Sequence, residues 1–124
     1  MTNEKEVLII DDDSRNIFAL SAVLKAKKFQ CISAMNAGDG LKILSSNKNI
    51  GVVLMDMMMP EMDGYEAIAK MKSNEALKDI PVIAITAQAM AGDREKCLEA
   101  GADGYISKPV DVNELMKLLN LLID

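Results

Sequence analysis

Three short apolar runs, Val7-Leu8-Ile9-Ile10, Val52-Val53-Leu54-Met55 and Val82-Ile83-Ala84-Ile85, do not alternate with polar residues. A strand with one wet face alternates at period two. One without alternation has both faces covered, as in a parallel sheet lying between layers of helices. A weaker run at Tyr105-Ile106 and the segment from Phe29 to Ala34, with Phe29, Cys31 and Ile32 as its apolar groups, bring the expected strands to five. Helical spacings fill the intervals. Ile17, Leu20 and Leu24 recur at three and four, and Val112, Leu115, Met116, Leu119 and Ile123 form a stripe near the end. Asp13 or Ser14 is placed to cap the first helix, and Asp111, with Glu114 three residues on, to cap the last. Strands alternating with helices imply right-handed βαβ crossovers, hence a (βα)5 fold of the α/β class.

No repeat, low-complexity stretch or linker interrupts this pattern, so residues 1–124 read as one domain with no output domain. The helix after the fourth strand is the thin place. From Ala89 to Ala100 it offers mainly Met90, Leu98 and several alanines, and few buried contacts predict a mobile element.

Composition excludes several function classes. A net charge of -5 argues against direct binding of nucleic acid, which needs a basic surface. The polar start MTNEKE carries no secretory pattern, and no apolar run is long enough to span a bilayer, so the expected address is the cytoplasm with no membrane partner. Cys31 and Cys97 lie far apart and read as two buried thiols. Histidine is absent, which rules out a histidine base, ligand or phosphohistidine within the chain. With aromatics at 3%, the core must be aliphatic, and Met55, Met57, Met58, Met59 and Met62 read as core and loop filling.

Four of the five strands end in a chemically useful polar group: Asp11-Asp12-Asp13, Asp56, Thr86 and Ser107-Lys108-Pro109. In an open parallel sheet these ends share one edge, where ligands bind. Asp11, Asp12 and Asp56 within roughly 5 Å of one another would repel by about 3 kcal/mol per pair at an effective dielectric near 20, so a cation belongs among them. Carboxylates without His or thiolate suit Mg2+, with Mn2+ as the second choice. The Lys108 ammonium and the Thr86 hydroxyl at the same edge suit a phosphoryl group, whose transfer asks a protein for placement and charge neutralisation.

The motifs VLIIDDDSRN, VLMDMMMPEMDGYE, IPVIAITAQAM and GADGYISKPVD resemble, in order and spacing, those of response-regulator receiver domains, the CheY-like family. Within it the chain looks most like receivers of hybrid sensor histidine kinases, while its initial Met and polar leader favour a free-standing regulator. The resemblance implies a doubly wound, flavodoxin-like sheet in the order 2-1-3-4-5 and a role in two-component phosphorelay signalling. It implies that Asp56 accepts the phosphoryl group and that Asp11 and Asp12 hold Mg2+, with Asp12 favoured as direct ligand and the Met58 carbonyl contributing. Thr86, Lys108 and the Ala87 amide would contact the phosphoryl group, and Tyr105 would change rotamer as Thr86 is drawn in. The Lys108-Pro109 bond would be cis. The phosphodonor would be a histidine kinase or histidine phosphotransfer protein, and the target a downstream protein that the sequence does not name. No enzymatic activity is expected beyond self-catalysed phosphoryl uptake and loss. Gly104 stands where an acidic residue is frequent, which suggests altered local flexibility.

Two other readings compete. A haloacid-dehalogenase-like phosphatase would use Asp11 and Asp13, but that leaves the Asp56 segment unexplained. A flavodoxin-like FMN binder would meet repulsion from three consecutive aspartates and lacks the aromatics that sandwich a flavin. Leu118 and Leu121 fall off the last helix's core stripe, which would allow a dimer through the fourth and fifth helices.

Overall fold

A computed structural model describes residues 5–87 and 92–123. The strands are β1 (Glu6–Ile10), β2 (Gln30–Ala34), β3 (Ile50–Asp56), β4 (Val82–Thr86) and β5 (Gly104–Ser107). The helices are α1 (Ser14–Ala26), α2 (Ala37–Ser46), α3 (Gly64–Lys72), α4 (Asp93–Ala100) and α5 (Val112–Leu122). All strand pairs are parallel, in the order β2-β1-β3-β4-β5. The expected doubly wound α/β sheet is therefore present.

Strand alternation sorts the apolar side chains onto two faces. Val7, Ile9, Val52, Leu54, Ile83, Ile85 and Ile106 pack with Leu20 and Leu24 of α1 and with Leu115 and Leu119 of α5. Leu8, Ile10, Val53, Met55, Val82 and Ala84 pack instead with Leu44, Ala67, Ile68, Met71 and Cys97 of α2, α3 and α4. This two-sided cover is why the runs do not alternate. The edge strand β2 is only partly covered, which accounts for its weak apolar signal.

Helix starts are built by short polar side chains. Asp13, Asn36, Asp63 and Asp111 accept the amide protons of Arg15, Asp39, Glu66 and Glu114, each such cap being worth about 1 kcal/mol. The α4 helix differs: Gly92 precedes it with φ 85° and no side-chain cap bond. The Lys108-Pro109 peptide bond is cis, as expected. No helix among the described residues is long and apolar enough to cross a membrane.

Several expectations need correction. Cys97 is buried but Cys31 is half-buried, because β2 is an edge strand. Met58 is 50% exposed, unlike the buried Met55, Met57 and Met59 around it. At Gly104 the structure shows a packing role. A Cβ there would sit 3.3 Å from both Leu118 Cδ atoms, so its lack of a side chain is what lets Leu118 cover β5. Leu118 thereby joins the core, leaving Leu121, 76% exposed, as the outlying leucine of α5. In α4 the buried residue is Cys97, not Leu98, which is exposed. Ala89 and Met90 lie outside the described residues.

Candidate functional site

The first strand delivers Asp11 into the sheet edge, where its amide still donates to the Ala34 carbonyl at 3.1 Å. The residue is only 3% exposed, and its Oδ1 accepts the Asp13 amide at 2.8 Å, which fixes its direction. Asp56 is the last residue of β3, aligned with Ile85 of β4 and 4% exposed. Its Oδ1 accepts the Met58 amide at 3.1 Å. Asp12 stands exposed at the mouth, so the site has two walls and an opening. One oxygen from each of Asp11, Asp12 and Asp56 lies within 4.8 Å of the others.

The loop beneath is held close by Gly64. A Cβ on that residue would come within 2.7 Å of Met57 Cα and 3.0 Å of the Asp56 carbonyl oxygen. Backbone atoms cannot step aside cheaply, so α3 can start this near the strand end only with glycine there.

Among the described residues, the Lys108 ammonium is the cation beside the two buried carboxylates. Lys108 Nζ lies 3.7 Å from Asp11 Oδ2 and 3.8 Å from Asp56 Oδ1, too long for direct hydrogen bonds. Its backbone amide donates to the Thr86 carbonyl at 2.8 Å, which ties the ends of β4 and β5 together. The pocket therefore carries an excess of negative charge. Burial pushes the Asp56 carboxyl up to about 6; the Met58 amide works against this, the Asp11 charge adds to it, Lys108 opposes it and Asp12 adds further. An all-oxygen donor set with surplus negative charge fits a hard divalent cation.

Thr86 ends β4, only 1% exposed and aligned with Ser107, and Ala87 follows it into the solvent. The structure thus brings Asp11, Asp12, Asp56, Met58, Thr86, Ala87 and Lys108 to one sheet edge. Tyr105 is set back from it. It aligns with Ala84, so alternation puts its side chain on the same face as that of Thr86, the face covered by α4. Its hydroxyl donates to Asp93 Oδ2 at 3.0 Å. Beside the pocket, a cleft of about 520 Å3 between α1 and α5, lined by Asn16, Leu20, Val23, Pro109 and Leu115, opens onto Asp11 and Lys108.

Two residues went unnoticed in the sequence. Tyr65 of α3 donates its hydroxyl to Asp93 Oδ1 at 3.2 Å, so that carboxylate meets two tyrosines. An aspartate in a helix's first turn reads as a partner of the helix dipole, and no local pattern reveals that two distant rings reach it.

Residues 7–120 match the family model for the response regulator receiver domain. The two-component response regulator ORR5 of Oryza sativa subsp. japonica is 31% identical over 117 residues, covering 94% of this chain and 87% of that protein. The sensor histidine kinase RcsC of Escherichia coli (strain K12) is 36% identical over 115 residues, covering 93% of this chain but 12% of the kinase. Among solved structures, the signal receiver domain of a signal transduction histidine kinase from Syntrophus aciditrophicus is 30% identical with a TM-score of 0.85, covering 95% of this chain and 89% of that one. The phosphatase reading finds no support in these matches. It also needs Asp13 beside Asp11 in the pocket, whereas the Asp13 carboxylate caps α1 and pairs with the Arg15 guanidinium at 3.2 Å. With the fold, the acidic strand ends and these matches in agreement, the chain belongs to the family of two-component response regulator receiver domains.

Proposed function

We propose that Asp56 takes a phosphoryl group from a phosphohistidine, carried by a histidine kinase or histidine phosphotransfer protein in the cytoplasm, and that the modified chain signals to a downstream protein. The observation that carries this reading is the convergence of Asp11, Asp12 and Asp56 oxygens within 4.8 Å, facing the Lys108 ammonium. An ionised Asp56 oxygen attacks phosphorus, forming the O–P bond as the P–N bond of the donor breaks. The electron pair leaves with the imidazole.

Asp11, Asp12, Asp56 and the Met58 carbonyl would hold Mg2+, or Mn2+ in its place. When bound, the ion supplies charge neutralisation for the phosphoryl oxygens. Lys108 needs only a small shift from its long contacts with Asp11 and Asp56 to pair with a phosphoryl oxygen. The Thr86 hydroxyl donates to a second, and the Ala87 amide adds another donor. Thr86 drawn towards Asp56 vacates space on its own sheet face. Tyr105 can turn into that space, and α4 moves with it, since Cys97 is its one buried residue among those described.

Incubation with acetyl phosphate and Mg2+, followed by intact mass measurement, tests the acceptor. The wild type should gain a single phosphoryl adduct and Asp56→Asn none. An adduct on Asp56→Asn at an undiminished rate would sink the assignment.

A further inference from the structure

The α4 helix is fastened in an unusual way. It has no side-chain N-cap, and Cys97 is its buried residue. Asp93, in its first turn, directs both carboxylate oxygens to tyrosine hydroxyls, Oδ1 to Tyr65 of α3 and Oδ2 to Tyr105 of β5. Bonds from a neutral hydroxyl to a carboxylate are among the stronger ones a partly buried site can make. Tyr65 is held further by Cys97 Sγ at 3.6 Å from its hydroxyl and by Lys96 Nζ at 4.7 Å from its ring centre. Burial, with the bond to Asp93, pushes the Tyr105 hydroxyl up to about 12, so it stays a donor at neutral pH.

We propose that Asp93 is a latch: its bond to the Tyr105 hydroxyl holds the resting packing of α4 on β5, and the strength of that bond sets how readily the chain switches. Asp93 is a positioning residue, acting through Tyr105 and not on the phosphoryl group. The inference rests on the Tyr105 switch of the preceding section and adds its restraint. When the Tyr105 ring swings towards Thr86, its hydroxyl leaves Asp93 Oδ2, so the bond stabilises one packing only. Whatever weakens it shifts the population towards the other and raises the affinity of any ligand that prefers the other. Tyr65 is anchored on α3 and does not turn with Thr86, so its bond to Oδ1 fastens α4 without reporting on the Tyr105 rotamer.

Two measurements decide this on the full chain. In the unphosphorylated protein, amide exchange in α4 should rise in Asp93→Asn, Tyr105→Phe and Tyr65→Phe. In NMR titrations with beryllofluoride and Mg2+, Asp93→Asn and Tyr105→Phe should each lower the midpoint about fivefold, the effect of weakening one charge-assisted hydrogen bond in one state alone. The double variant should move it no further than either single variant. Tyr65→Phe should leave the midpoint within twofold of wild type. Unchanged midpoints for Asp93→Asn, additive shifts, or a Tyr65→Phe shift as large as that of Tyr105→Phe would each overturn the latch and leave a merely structural contact. A wild type that takes up no beryllofluoride would overturn the Asp56 reading instead. The exchange measurements then decide the latch alone, and unaltered α4 exchange in Asp93→Asn rejects it.

Discussion

The acidic pocket and the α4–β5 face both hold carboxylates partly out of water, and they treat them in opposite ways. In the pocket, Asp11 and Asp56 are nearly fully buried and share one distant ammonium, so charge is left in excess. On the α4–β5 face, Asp93 has a hydroxyl donor on each oxygen. The first region is rigid in its walls, since β1 and β3 are central strands covered on both faces, and strained in its charge. The second is satisfied in its charge and thin in its apolar contacts. The proposed role of the pocket, to take a cation and a phosphoryl group, would benefit from unmet charge on a stiff frame. The proposed movement of α4 would benefit from a few breakable polar bonds in place of a large apolar footing.

The largest expected effect tests the stiffness of the pocket frame. Gly64→Ala forces a methyl group against Met57 and Asp56 backbone atoms and should destabilise the fold by about 3 kcal/mol, in the range for overpacking. Chemical denaturation would measure it, with faster exchange in the Asp56–Gly64 loop. A loss below about 0.5 kcal/mol would mean that the loop gives way easily and that the two regions do not differ in rigidity.

The excess charge itself is next. Without metal, the Asp56 carboxyl is raised to about 6 in the folded chain against 3.8 for the ordinary group. A raised carboxyl favours the protonated folded form, so its cost is absent below the unfolded value and grows as pH rises through about 6. In EDTA, Asp56→Asn should therefore be more stable than wild type at pH 8 by on the order of 2 kcal/mol, the gap closing towards pH 4. A gap independent of pH would show that Asp56 carries no uncompensated charge.

A cation that binds only the folded pocket should stabilise it by mass action. Mg2+ at ten times its dissociation constant adds about 1.4 kcal/mol, visible as a rise in melting temperature relative to EDTA. Asp12→Ala should lose that rise and Asp93→Asn should keep it. If Asp93→Asn lost it as well, the pocket and the α4–β5 face could not be treated as separate. The smallest effect concerns the pocket's rim. Glu61 holds φ at 67°, a left-handed conformation that suits glycine, so Glu61→Gly should cost little or stabilise by a few tenths of a kcal/mol. Thermal denaturation would detect a marked loss, which would mean that the Glu61 side chain has a partner of consequence.

Much of this was legible in advance for a simple reason. Cover on both faces of a sheet leaves a signature within four consecutive residues, so β1, β3 and β4 and the edge at which Asp11, Asp56 and Thr86 emerge could be read directly. Capping is equally local, and Asp13 and Asp111 cap α1 and α5 as their positions suggested. The strand order was implied only by the resemblance to receivers, because parallel neighbours are chosen by crossovers that no short pattern encodes.

What the sequence determined by itself was the alternation of elements and the polar group at four of the five strand ends, since both depend on neighbours along the chain. The tertiary structure alone decided that Leu118 settles over Gly104 and that Tyr65 and Tyr105 meet on Asp93. Those contacts join residues 12 to 28 positions apart. They are set by how helices pack across the sheet, where distance along the chain no longer predicts distance in space.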